Sequence, residues 1–111
     1  MRTEFIDPGS FRHELVLEAV STSPDGAGGY TESWTEVGAV FARIEPLAAS
    51  SRYGADQTLE TVTHRVTLRH RADLRSGMRL RRLERLFLVA TVHDPDETGR
   101  YLVCTVTEAG L

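Results

Sequence analysis

The stretch Thr61-Val62-Thr63-His64-Arg65-Val66-Thr67-Leu68-Arg69-His70-Arg71 decides the reading of the chain. Val62, His64, Val66, Leu68 and His70 fall on one side of a period-two pattern, with Thr61, Thr63, Arg65, Thr67, Arg69 and Arg71 on the other. Successive side chains of a strand point to opposite faces, so this predicts a strand with one face in a core and the other carrying arginine and threonine.

The same period continues on both sides. Between Arg12 and Val20, Leu15, Leu17 and Ala19 alternate with Glu14 and Glu18, while Val16 and Val20 add apolar character to the second face. Ser21 to Gly29 reads as a turn and loop, since Pro24 presets a turn and the glycines supply positive φ. Tyr30 to Glu36 predicts a strand paired with the first as a long hairpin. Val37 to Leu47 predicts another, with Val40, Ala42 and Ile44 opposite Phe41, Arg43 and Glu45. Pro46 lacks an N–H and is expected to end it or to place it at an edge.

Ala48 to Glu60 breaks the alternation and reads as a long loop with at most one helical turn, because Gly54 and the serines weaken a helix. Ala72 to Gly77 is a connection. Met78–Leu83 and Leu86–Val92 form a predicted hairpin with its tip near Glu84-Arg85, His93–Gly99 is a turn-rich acidic loop, and Tyr101–Glu108 is the last strand. The expected architecture is all-β, a small barrel or sandwich of about six to eight antiparallel strands. Residues 1–111 make one domain, with residues 1–10 as an extended N-terminal arm.

Composition narrows the function. The chain has 111 residues, room for one core. Its net charge of −3 argues against general nucleic-acid coating. With Cys104 the single cysteine there is no intrachain disulfide. No apolar run approaches the roughly 20 residues that span a bilayer, so no membrane partner is expected.

No catalytic constellation is visible, and neither a metal nor a cofactor is expected. His64 and His70 lie about 20 Å apart along a strand, too far to share a metal. Ser50-Ser51 lacks a nucleophile-elbow setting. The Gly26–Gly29 cluster lacks the lysine of a phosphate loop and precedes a strand. Asp94 and Asp96 sit in a solvated turn, and Cys104, among Leu102, Val103 and Val106, reads as a small core residue.

All 13 basic residues are arginine. Arg65, Arg69, Arg71, Arg79, Arg81 and Arg82 crowd a short span, joined by Arg75 and Arg85, whereas acidic residues concentrate in the first half and in Asp94–Glu97. Three readings stand side by side: a solvated face, a surface for DNA phosphates, or a face meeting the acidic face of a neighbouring copy. Arginine suits rigid ion pairs between subunits, and no interleaved aromatics offer base-stacking platforms.

Several segments, in order over nearly the whole chain, resemble the phage head–tail joining proteins, which include the head-closure or stopper proteins of tailed phages and gene transfer agents. They are Phe11-Arg12-His13-Glu14-Leu15, the Asp25-Gly26 to Gly28-Gly29-Tyr30 turn with Trp34 after it, Val40-Phe41-Ala42-Arg43-Ile44-Glu45-Pro46-Leu47, Thr63 to His70, Met78-Arg79-Leu80, Leu86-Phe87-Leu88-Val89 and Arg100-Tyr101-Leu102. The sequence departs from the pattern at Ala48 or Ala49, where glycine is frequent, at His70 for a tyrosine, and at Leu83-Glu84-Arg85, which lacks the usual glycine or asparagine.

The resemblance implies a structural, non-enzymatic virion protein assembled in the bacterial cytoplasm. Identical copies would form a ring below the portal and adaptor, with tail terminator or tail proteins docking beneath and packaged double-stranded DNA in the channel. It further implies that the loop 48–60 faces the channel and gates it, through Ser50, Ser51, Arg52, Tyr53, Gly54, Asp56 and Gln57. An adaptor bound directly to the portal, or a DNA-binding barrel, are the alternatives.

Overall fold

The computed structural model describes residues 6–47 and 62–109. Among the described residues six strands form one antiparallel sheet: β1 His13–Pro24, β2 Tyr30–Pro46, β3 His64–Arg69, β4 Arg79–Arg82, β5 Arg85–His93 and β6 Tyr101–Ala109. Their order is β1-β2-β3-β6-β5-β4, and β4 pairs back onto β1 through Val16↔Arg81, Leu17↔Leu80 and Glu18↔Arg79. Closure gives every strand two neighbours over part of its length and so protects the edges that promote aggregation.

The core follows the alternation. Leu15 and Leu17, Val40 and Ala42, Val66 and Leu68, Leu80, Phe87 and Val89, and Leu102, Cys104 and Val106 point inward and are buried. Cys104 is fully enclosed, and burial pushes its thiol up to about 12, so it is a packing residue without thiolate reactivity.

Several boundaries differ from the sequence expectation. Tyr30–Glu36 and Val37–Leu47 are one continuous strand, β2, because a register shift opposite Leu17/Glu18 absorbs one extra residue and restores the inward phase. Ser21–Pro24, whose composition reads as loop, continues β1; Ser21 and Thr22 pair with Ser33 and Glu32, and the Ser21 and Ser33 hydroxyls lie 3.0 Å apart. The turn proper is Asp25–Gly29, where the Asp25 carboxylate accepts from the N–H groups of Ala27 and Gly29, which hold it below its ordinary range. Gly26 and Gly28 supply the positive φ that this turn requires.

Residues 6–10, expected as an extended arm, contain a 3-10 turn at Pro8–Ser10 with Ile6 buried. The Asp7 carboxylate caps Gly9 N–H at 2.9 Å, and a proline occupies the first position, where no donor is needed. The β4–β5 turn is Leu83-Glu84, with Arg85 already paired to Arg82. Leu83 holds φ 56 while exposed, a left-handed conformation that costs a non-glycine residue about 1–2 kcal/mol.

Candidate functional site

Beyond Glu18 on β1, and before Ala42 on β2, the two strands pair only with each other among the described residues. The hairpin therefore leaves the barrel as a two-stranded arm, about 20 Å from Glu18 to its turn at the rise of a strand. One face is a hydroxyl ladder of Ser21, Ser23, Thr31, Ser33 and Thr35. The other carries Val20, Tyr30, Glu32 and Trp34.

The root of the arm is locked by charge. Glu18 is buried on the outside of the barrel; Arg79 donates to its Oε1 at 2.7 Å and Arg81 to its Oε2 at 3.0 Å. The Arg79 guanidinium also lies over the Trp34 ring, 4.2 Å from its centroid. Burial pushes the Glu18 carboxyl upward, but the hydrogen bonds and charge of the two arginines outweigh it and leave it below its ordinary value.

A second lock closes one end of the barrel. Arg85 donates to both oxygens of Glu108 at 2.8 and 3.1 Å and lies over the Phe87 ring. These hydrogen bonds hold Glu108 below its ordinary range. His64 packs edge-on to Phe87, with its Nδ1 2.8 Å from the Thr63 hydroxyl, and that hydroxyl accepts from Glu108 N–H at 2.8 Å. This is the half-buried, hydrogen-bonded histidine that a strand position facing inward demands. His70 lies past the end of β3 and is exposed. Beside the Glu108 lock, Leu47 N–H donates to Thr63 C=O at 2.9 Å, so residues 48–61 are inserted between two bonded strand ends.

The six arginines expected at a subunit interface separate into two groups. Arg65 donates to Glu45 at 3.3 Å, Arg71 makes two bonds of 3.0 Å to Asp73, and Arg79 and Arg81 hold Glu18. Arg69 and Arg82 have no ion-pair partner among the described residues. Ser50, Ser51, Arg52, Tyr53, Gly54, Asp56 and Gln57, the expected gating residues, lie outside the described residues.

Sequence reasoning missed Glu18, the Trp34–Arg79 stack and the Arg85–Glu108 lock. For Glu18 there was one signal, a carboxylate between Val16 and Val20 on the same strand face. Asp94 and Asp96 serve their own turn: Gly99 N–H donates to Asp94 at 2.7 Å and the Thr98 hydroxyl to Asp96 at 2.7 Å. Among the described residues no group of three or more His, Cys, Asp or Glu side chains is placed to hold a metal ion.

An open groove lies where β2 meets β3. It measures about 280 Å³ and is lined by Pro8, Phe11, Phe41 and Leu68, together with Arg69 and Arg71. Phe41 is 57% exposed there, an unusual position for a phenylalanine on a barrel that encloses Phe87 wholly in its core. Sites for small molecules run to roughly 300–1,000 Å³; this one is sized for one or two side chains.

Comparison with known proteins decides the family, since the phage head completion proteins match this chain over residues 6–109. The chain belongs to the phage head completion protein family. It is accordingly a structural component of a virion, and its family is not one of enzymes. Head completion protein gp7 of Enterobacteria phage HK97 is 30% identical over 75 residues, 68% of this chain and 67% of the relative. A chain in the virion of a native gene transfer agent particle superposes with a TM-score of 0.66 at 28% identity, covering 88% of this chain and 94% of that one. Protein SF1141 of Shigella flexneri 2a shares the fold, with a TM-score of 0.70 at 17% identity over 95% of this chain and 98% of its own.

Proposed function

We propose that this head completion protein is a head-closure subunit: identical copies form a ring between the portal or adaptor and the tail, retain packaged DNA and give the tail its platform. The observation that carries this reading is the match to the phage head completion proteins over residues 6–109, together with the Leu47 N–H to Thr63 C=O bond that brings the two chain ends flanking residues 48–61 together beside the Glu108 lock. A gate needs two arrangements of similar free energy. The small residues Ala48, Ala49, Ser50, Ser51 and Gly54 suit that demand.

Two other readings fare less well. An adaptor of the helical kind does not fit described residues whose one helical element is a three-residue 3-10 turn. A duplex-binding barrel needs free arginines, yet four of the six candidates are engaged by Glu18, Glu45 and Asp73. Removal of the gene is expected to give heads that package DNA but lose it and carry no tails, and supply of the protein in trans restores both. Encapsidated DNA measured after nuclease treatment, with electron microscopy of the same particles, checks this; full, tailed particles without the protein would reject it.

A further inference from the structure

We infer that the β1–β2 arm of one copy seats in the Phe41–Arg69 groove of the next copy, and that this contact, repeated, joins the ring. The inference rests on the ring reading above.

The arm and the groove are each incomplete alone. A two-stranded ribbon is marginally stable at best in water without a third strand or an apolar partner, and this one exposes Tyr30 at 72% and Val20 at 40% on a single face. From Glu14 to Val40 the sequence has no arginine, lysine or histidine, while Asp25, Glu32 and Glu36 make the arm acidic. The groove has the opposite character. Pro8, Phe11, Phe41 and Leu68 give it apolar lining, and Arg69 in the same lining has no ion-pair partner among the described residues, whereas Arg71 is committed to Asp73.

The spacing agrees. Tyr30 and Glu32 point from the same face of the arm, pairing with Pro24 and Thr22, and lie about 7 Å apart along a strand. Phe41 and Arg69 stand next to the Ala42↔Leu68 pair on neighbouring strands, about 5 Å apart. An aromatic ring followed by a carboxylate thus meets an apolar lining followed by a guanidinium, with Tyr30 on Phe41 and Glu32 on Arg69. An arm rooted beside Ala39 and carrying its tip about 20 Å away cannot reach its own groove. Because the two surfaces are different, the contact is heterologous and propagates from copy to copy, which generates a ring when the rotation closes.

Purified particles test this directly. In a Pro24→Cys/Ala39→Cys variant, which places a thiol opposite Tyr30 and keeps its ring, mild oxidation is expected to give a ladder of disulfide-linked multimers; Cys104, enclosed in the core, stays silent. Arg69→Glu and Glu32→Arg should each lower the yield of completed particles at least about tenfold, since like charges would face each other, and the double variant should recover most of the loss. Circular dichroism melts of the purified variants confirm that these exposed changes leave the barrel folded. Multiple copies per particle with no ladder, no charge effect or no recovery would overturn the arm contact and leave the ring standing. A single copy per particle, counted by quantitative mass spectrometry, would overturn both. Linkage of the thiol introduced on the arm to another virion protein would assign the arm a different partner and reject the inference.

Discussion

Particles built with a chain lacking residues 49–57 are expected to release their DNA, although the protein itself folds and joins the particle. The physical basis is that the strand ends flanking this segment are held to each other and to β6, by Leu47 N–H to Thr63 C=O and by Thr63 N–H to Val106 C=O, at 2.9 and 2.8 Å. The neighbouring barrel end is closed by Arg85, Glu108, His64 and Phe87. Shortening a loop changes its closure entropy by only about 0.6 kcal/mol per halving of length, so the melting curve should move little. Retention of DNA should instead fall to the level of particles lacking the protein. Nuclease-protected DNA per particle, with a thermal melt of the purified variant, separates the two effects. A variant that unfolds would show that the segment belongs to the barrel, and a folded variant whose particles keep their DNA would remove the gate from this account.

The second large effect concerns Glu18. Replacement by glutamine removes the charge that two guanidiniums share and turns one acceptor oxygen into an NH2 that faces an arginine donor. Hydrogen bonds to charged groups contribute about 1.5–3 kcal/mol, and severing a fully buried ion pair costs about 3–5 kcal/mol. Here Arg79 and Arg81 retain 21% and 38% exposure and can regain water, so a loss of about 2–3 kcal/mol is expected. The pH dependence carries the sign. The folded carboxyl titrates below its ordinary value of 4.5, so its contribution is complete above that value and disappears as pH falls through the lowered one. Urea denaturation at pH 7 and at pH 3 should show a gap between the two proteins that narrows at the acid end. An equal gap at both pH values would mean that packing, and not charge, is what Glu18 supplies. With the lock loosened, Trp34 loses its stacked cation and the arm its anchor, so particle completion should fall along with stability.

Much of the barrel was legible in the chain because alternation alone places its inward residues. Val66 and Leu68, Val40 and Ala42, and Leu102, Cys104 and Val106 are read from period two, and each is buried. The end of β2 at Pro46 follows from the missing N–H. Where local composition and pairing disagree, composition misleads. Ser21–Pro24 has the residues of a loop, yet Ser33 and Thr31 across the ladder make it a strand. The β2 bulge was hidden for a related reason: an inserted residue shifts the phase, and one strand then reads as two.

The long-range part of the charge network was beyond local reading. Glu18 meets Arg79 and Arg81 across separations of 61 and 63 residues, and Arg85 meets Glu108 across 23. Those partners are fixed by the order in which the sheet closes, which periodicity does not encode. The crowd of arginines was visible, and Arg71 finds Asp73 two residues away, but the engagement of Arg65, Arg79 and Arg81, with Arg69 and Arg82 left over among the described residues, required the β1–β4 and β2–β3 registers.

A reconstruction of the head–tail junction of the intact particle is expected to show a closed ring of this barrel around the DNA path between portal and tail, with residues 48–61 on the channel side. Density for the chain on the outer capsid surface, or in isolated copies away from the channel, would contradict it.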